Sequence, residues 1–408
     1  MTPIDVSARS QIPRRAMVDK LETARAIRTA AVSAAFEAVP RELFVPEIAA
    51  RDGLDAVYEP ASALVTARDE RGTPISSSSA PSIMAPMLEQ LELREGLRVL
   101  EVGAGTGYNA ALLKHLVGEA GRVISVEIDQ GFARRARRAL TKAGYHCRVV
   151  TGDGHEGWPK GSPFDRVIAT ASCDHVPSSW RDQLIDGGLV ELPLRLGDAH
   201  MPQLVVCFRR DGECLHSTVA VLGGFMAMRQ ASYLQVTKPT ARLTAPGGGI
   251  RSSMRCSLEG DGIARLSAPE AKRALALLRN PARHVRTISQ PGIDGLNLFL
   301  ALSGGPLLVR CALDTRFGMA VVSGDGRSLA AVTRTIGDTK PGRFDAWGDD
   351  RAESALAQRI LRWERAGRPT LEDLCLTVSY SGRRSESHWR TIKRPGSTIT
   401  MDWKPPAR

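Results

Sequence analysis

Residues 99–107, VLEVGAGTG, set three glycines at alternate positions, Gly103, Gly105 and Gly107, two places beyond the acid Glu101. Such a turn can visit positive φ, and it lets a ligand approach main-chain amides at the start of the next helix. The spacing is GxGxG, whereas dinucleotide-binding turns read GxGxxG, and the difference favours S-adenosyl-L-methionine as the cofactor. Twenty residues beyond Gly107, Glu127 closes the apolar run VISVEID, where an acid can accept hydrogen bonds from ribose hydroxyls. A third apolar run, 148–151, ends in Gly152-Asp153-Gly154, where a short acid and pliant backbone can meet an adenine. A second chemical group is the serine run 76–79 just before Pro81. Hydroxyls and free amides at a helix N-terminus form a site for a carboxylate, although the same serines also suit helix capping.

These groups need strands that end side by side. Strand-like segments at 99–102, 123–129, 148–151, 167–169 and 184–194, with turns and helical runs between them, predict a doubly wound α/β, Rossmann-like domain with its site at the carboxyl ends. Before it, residues 17–38 carry helical periodicity that Pro40 stops. The polar segment 67–79, with Arg68, Asp69, Glu70 and Arg71, reads as a long loop suited to a lid. A helix is expected from Pro81, with Ser79 or a neighbour as its cap. A hairpin over 204–222 closes the domain. KPTARLTAPGGG (238–249) then reads as a linker, and helical patterns at 268–279 and 351–367 alternate with strand-like runs at 319–322, 374–380 and 397–403. The expected organisation is a catalytic domain at 1–235, a linker at 236–250 and an additional C-terminal α+β domain at 251–408 that recognises substrate.

Composition narrows the setting. The chain has 408 residues and net charge +11. Residues 1–230 hold 27 Lys and Arg against 28 Asp and Glu, while 231–408 hold 28 against 16, so the excess positive charge sits in the second part. That points to an acidic partner there. The seven cysteines form no CxxC pair, so neither a disulfide framework nor a metal site is expected. No run has the length of a membrane helix and the N-terminus lacks the apolar centre of a signal peptide, so a cytoplasmic protein without a membrane partner is expected.

Taken together, MVDKL, VPRELFVP, the Ser-Ala-Pro before a helix, EVGAGTGY, VISVEID, TGDG and DGGLVELPL resemble the protein-L-isoaspartate O-methyltransferase family over about residues 10–230. The resemblance implies that Gly103, Ala104, Gly105 and Gly107 line the methionine end of the cofactor, Glu127 holds the ribose and Asp153 the adenine. Thr106, Ile128, Gly154 and Thr170 complete the expected cofactor set. Ser79 matches the family's active-site serine. Where the family usually shows Thr-Ile-Ser this chain has Ser77, Ser78 and Ser79, so Ser78 stays open as the register alternative.

The family normally ends near the closing hairpin, but this chain continues for nearly 180 residues. That continuation resembles, more loosely, extended relatives that accompany lanthipeptides, lasso peptides and graspetides. It implies esterification of an aspartate in a modified precursor peptide, followed by closure to aspartimide or conversion to isoaspartate. The alternative is repair of isoaspartate in damaged proteins. In either case the acceptor is already an anion at neutral pH, so alignment and exclusion of water carry the reaction without a general base. The precursor peptide is expected to be acidic and gripped by the basic stretch 381–394, with Trp389 packing on it. A nucleic-acid partner is the less favoured class, because the tryptophans of the second part are scattered and no interleaved aromatic and basic motif is present.

Overall fold

Apolar strands alternating with helices are the pattern of a parallel sheet covered on both faces, and they recur between residues 98 and 194. The computed structural model describes residues 3–197, 203–229, 242–245, 256–289, 292–305, 307–313, 315–335, 340–380 and 388–404. The first part contains α1 (Pro3–Thr23), α2 (Ala30–Ala38), α3 (Pro46–Val57), β1 (Leu64–Arg68), β2 (Pro74–Ser78), α4 (Pro81–Gln90), β3 (Arg98–Val102) and α5 (Tyr108–Val117). It continues with β4 (Arg122–Glu127), α6 (Gln130–Lys142), β5 (Arg148–Thr151), β6 (Phe164–Ala169), α7 (Ser178–Gln183), β7 (Leu184–Leu194), β8 (Gln203–Asp211) and β9 (Cys214–Gly223). Strands β5, β4, β3, β6 and β7 lie side by side in parallel, and β8 and β9 follow antiparallel. The register pairs Val102 with Val126 and Glu127 with Thr151, so the strand ends expected to bear the site share one edge.

The second part contains β10 (Arg242–Ala245), β11 (Cys256–Glu259), α8 (Asp261–Ala264), α9 (Ala268–Leu277), β12 (Arg283–Ile288), α10 (Gly292–Ser303), β13 (Leu308–Leu313) and β14 (Arg316–Val322). After these come β15 (Ser328–Thr335), β16 (Gly342–Gly348), α11 (Arg351–Arg365), β17 (Leu374–Ser379), β18 (Arg390–Arg394) and β19 (Ser397–Trp403). Seven of its strands form an antiparallel sheet in the order β10-β11-β13-β14-β15-β16-β12. Helices α10 and α11 pack on one face, where Phe299, Val332, Phe344 and Leu356 meet. Helices α8 and α9 pack on the other, around Ile263, Ala274, Cys311 and Leu329.

Two expectations need correction. The segment 67–79 is no long loop: β1 and β2 pair as a hairpin, and its charged residues occupy the tip, where the Asp69 carboxylate accepts from the amides of Arg71 and Thr73. The helical region 17–38 is two helices broken between Thr23 and Ala30, and the first begins as early as Pro3. The last strands of the expected C-terminal domain also do not join its own seven-stranded sheet. Strands β17, β19 and β18 extend the first sheet, with Thr377 opposite His216 on β9, to make ten strands in all. The Leu376 amide also donates to the Ser217 hydroxyl at 2.8 Å. An edge strand left bare invites aggregation, and here residues from the far end of the chain cover part of it.

The packing follows the same pattern. Val102, Trp180, Val190 and Phe208 share a core with Leu298, Leu302, Leu376, Val378, Ile399 and Met401. Trp389, expected to meet a peptide, instead packs against Phe299 and Trp403 with ring centroids 5.3 and 5.2 Å away. Residues 381–387 of the basic stretch lie outside the described residues, as does the expected linker apart from β10. Cys147, Cys173, Cys207, Cys214 and Cys375 form no disulfide, and no described group of three or more His, Cys, Asp or Glu is placed to hold a metal. No described helix is long and apolar enough to cross a membrane.

Because both parts of the chain build this core, Leu376→Ala is expected to destabilise the catalytic fold by about 2–5 kcal/mol. Urea unfolding followed at Trp180 and by circular dichroism should shift together in one transition. Two separate transitions, with only one of them moved, would mean the parts fold independently.

Candidate active site

The glycine turn leaves the carboxyl end of β3 and enters α5. Gly103 has φ +99°, and a Cβ there would lie 2.5 Å from the Thr170 hydroxyl oxygen, so glycine is required on both counts. That hydroxyl braces the turn by donating to the Gly103 carbonyl at 2.7 Å. Gly107 serves another purpose. It faces away from the cleft onto α6, where a Cβ would press at 3.3 Å on the Ala136 carbonyl and on Leu140. Glu127, 5 % exposed at the end of β4, accepts from the Gly105 amide at 3.0 Å and from the Asp129 amide at 3.1 Å. Asp129 in turn caps α6 by accepting from the Phe132 amide at 2.9 Å. The Arg135 and Arg229 guanidinium groups sit over the Phe132 ring at 4.6 and 5.6 Å, and Arg229 Nη2 is 3.9 Å from Glu127 Oε1.

The serine run lies across the cleft from this turn. Ser76 and Ser78 are buried on the hairpin, and Ser77 and Ser79 are half-buried. Ala80, not Ser79, is the N-cap of α4, and no side chain caps that helix. The Ser79 hydroxyl makes no hydrogen bond with another described residue, whereas the Ser78 hydroxyl accepts from Arg41 Nε at 3.4 Å. Arg41 is fully buried, and burial lowers its pKa. Its guanidinium donates to the carbonyls of Val57 at 2.7 Å, Ser62 at 3.4 Å, Ser78 at 3.2 Å and Ser79 at 2.8 Å, and it lies over the Tyr108 ring at 5.8 Å.

One cavity of about 330 Å³ joins the two walls. Of the residues expected from the sequence, Ser78, Ser79, Gly103, Ala104, Gly105, Thr106, Glu127, Ile128, Gly154 and Thr170 line it. Gly107 and Asp153 do not. Instead the Asp153 carboxylate accepts from the His155 amide at 2.9 Å and lies 3.0 Å from its ring Nδ1, which caps a short turn beside the cavity. The wall also includes residues that sequence reasoning missed, among them Asn109, Phe132, Met226, Met228 and Arg229. The segment GGFMAMR directly after the closing hairpin was a signal for three of these, since Met226 and Met228 bond through the main chain to Ser172, just past β6.

Glu101 sits beneath the turn and is wholly buried. It accepts from Asn109 Nδ2 at 2.8 Å and from the Ser125 hydroxyl. Burial outweighs these bonds and pushes its pKa up to about 7.

A family model described as Protein-L-isoaspartate(D-aspartate) O-methyltransferase matches residues 12–222. The protein-L-isoaspartate O-methyltransferase of Methanopyrus kandleri is 41% identical over 203 residues, spanning 49% of this chain and 84% of that one. The chain belongs to the protein-L-isoaspartate(D-aspartate) O-methyltransferase family. Among solved structures, a protein-L-isoaspartate O-methyltransferase aligns with 90% of this chain and 96% of its own, at 25% identity and a TM-score of 0.49. A Plasmodium falciparum structure described as a β-aspartate methyltransferase in complex with S-adenosyl-L-homocysteine aligns with 53% of this chain and 98% of its own, at 16% identity and a TM-score of 0.44.

As a member of this family the protein is a protein carboxyl methyltransferase that uses S-adenosyl-L-methionine. The cavity suits that cofactor, with glycines where a Cβ would intrude and a buried carboxylate, Glu127, open to the space between the walls.

Glu101 makes the stability of this fold depend on pH. Its folded pKa of about 7 stands above the ordinary 4.5, so the native state holds the proton longer than the unfolded chain. The associated stability is complete below pH 4.5 and is lost as pH rises through about 7, on the order of 3 kcal/mol in total. Glu191, wholly buried on β7, is shifted in the same direction by burial and adds to the same slope. Glu101→Gln is therefore expected to flatten, though not abolish, the fall in urea-measured stability between pH 5 and 8. An unchanged slope would show that Glu101 titrates normally.

Proposed function

We propose that the protein methylates the α-carboxylate of L-isoaspartyl residues, and the side-chain carboxylate of D-aspartyl residues, in proteins and peptides. The observation that carries this reading is a cavity shared by two walls, with the Glu127-held glycine turn on one and the Ser79 hydroxyl, unbonded among the described residues, on the other. Bound S-adenosyl-L-methionine supplies a methyl group on a sulfonium, already activated for transfer. The chain's own residues do the rest. Glu127 and Ile128 would hold the ribose, while Gly103, Ala104, Gly105 and Thr106 would take the methionine end along the main chain. Gly154 and Thr170 would border the adenosyl portion. Ser79 would donate a hydrogen bond from its hydroxyl to one oxygen of the acceptor carboxylate, leaving the other directed at the methyl group. A terminal-type carboxyl with an ordinary pKa near ~3.5 needs no base to ionise it. Alignment inside a cleft closed by Phe132 and the methionines of 226–228 supplies the rate enhancement, for which roughly 7–11 kcal/mol is available.

The expectation of a dedicated enzyme for a modified precursor peptide has less support. The matching relatives carry the name of isoaspartate methyltransferases, and Leu376, Val378, Ile399 and Met401 of the expected substrate-recognition domain pack in the core of the first sheet. Two peptides identical except for isoaspartate or aspartate at one position separate the readings. Methyl incorporation into the isoaspartyl peptide alone is expected. Methylation of the aspartyl peptide at the same rate, or of neither, would count against repair chemistry.

Ser79→Ala should lower the turnover of the isoaspartyl peptide by about 10- to 100-fold, the value of one hydrogen bond to a charged group. Because Ser79 is not the helix cap, the melting temperature should stay near that of the parent protein. A normal rate with reduced stability would reverse this assignment.

A further inference from the structure

We infer that Arg41 is the positioning residue of the carboxylate-binding wall, holding Ser79 in register with the glycine turn. The inference rests on the carboxyl-methylation reading for its substrate. Arg41 is fully buried, and among the described residues every hydrogen bond from its side chain goes to neutral oxygen, four carbonyls and the Ser78 hydroxyl. A guanidinium taken out of water is costly unless its donors are met, and its planar fork spreads five donors over more widely spaced oxygens than the three donors of a compact ammonium reach. The segments it ties are distant in sequence: the end of α3 at Val57, the loop at Ser62, and the end of β2 at Ser78 and Ser79. Its fourth neighbour is Tyr108, the first residue of the helix that follows the glycine turn. One side chain therefore spans from the serine wall to the base of the cofactor wall.

The local chain supports the same reading. The Arg41 amide donates to the Tyr58 hydroxyl at 3.1 Å, and that hydroxyl donates to the Glu42 carboxylate, so the short helix carrying Arg41 is itself anchored. Arg41 bonds to the carbonyls of Ser78 and Ser79, so it fixes the peptide planes on either side of the Ser79 side chain. Its positive charge lies behind the serine wall at Ser78 and Ser79 and is itself fully buried. Arg41 does not line the cavity and touches no substrate. Its effect is transmitted through Ser79.

The test uses the full chain with Arg41→Lys, which keeps the charge but not the fork, and Arg41→Met, which removes both. S-adenosyl-L-methionine affinity is read by calorimetry, and kcat and KM with an isoaspartyl peptide. Hydrogen exchange is compared over 74–83 and 98–113. For Arg41→Lys the expectation is cofactor affinity within about twofold of the parent, peptide kcat/KM lower by about 10- to 100-fold, and faster exchange confined to 74–83. Arg41→Met should lose more activity, and if it does not fold the lysine variant decides alone. Parental kcat/KM and parental exchange in Arg41→Lys would overturn the inference. So would a loss of cofactor affinity equal to the loss of activity, which would make Arg41 a support of the whole fold. If the parent methylates no isoaspartyl peptide, the functional reading fails while the exchange comparison still decides the role of Arg41.

Discussion

The carboxylate of Glu127 holds together three pieces of chain that would otherwise move separately. It ends β4, accepts from the Gly105 amide in the turn after β3, and accepts from the Asp129 amide at the start of α6. A charged acceptor makes stronger bonds than a neutral one, and at 5 % exposure water competes little for it. The strand order then determines what lies nearby. β3 lies between β4 and β6, so Thr170 at the end of β6 reaches the same turn from the other side and fixes the Gly103 carbonyl. The parallel strands thus deliver an acid, a glycine turn and a hydroxyl to one edge, and each restricts the others.

The opposite wall is built by different means. It comes from a hairpin and a helix N-terminus outside the central sheet, and a sheet edge does not position such elements. A buried arginine bonded to carbonyls does that here. Behind both walls the core is shared with the C-terminal strands, since Leu376, Val378 and Ile399 pack with Trp180, Val190 and Phe208. The second antiparallel sheet connects to this core through α10, whose Leu298 and Leu302 face the first sheet while Phe299 and Leu300 face the second. Helix α10 and strands β17 and β19 thus bury apolar residues in the same core as the first sheet.

Features governed by local physics were legible in the sequence. Turn chemistry and apolar runs located the ends of β3, β4, β5 and β6, and the proline at 81 marked the start of α4. The run at 374–380 was legible as a strand, and its alternate residues are buried in the fold. It carried no information about its partner, because pairing with His216 joins residues 161 apart in sequence. Composition misread 67–79 as a loop because polar residues at a hairpin tip look like a flexible segment. Arg41 was quoted within VPRELFVP without a role, since an arginine that will be buried looks like any surface arginine until its carbonyl partners come together. Asp153 shows what spacing leaves out: its Oδ1 accepts from the His155 amide and faces the His155 ring beside the cavity, a local turn that the spacing did not announce. The charge division was real as a count, yet net charge does not show whether a region stands apart or packs into the fold.

The central claim is that donor and acceptor meet in one cleft between a wall held by Glu127 and a wall held by Arg41. A crystal structure of the full chain with S-adenosyl-L-homocysteine and an isoaspartyl peptide measures this directly. The account predicts ribose hydroxyls on the Glu127 carboxylate, and the isoaspartyl α-carboxylate within hydrogen-bonding distance of Ser79 Oγ. A peptide carboxylate seated elsewhere, or an adenosyl group that does not touch Glu127, would contradict it.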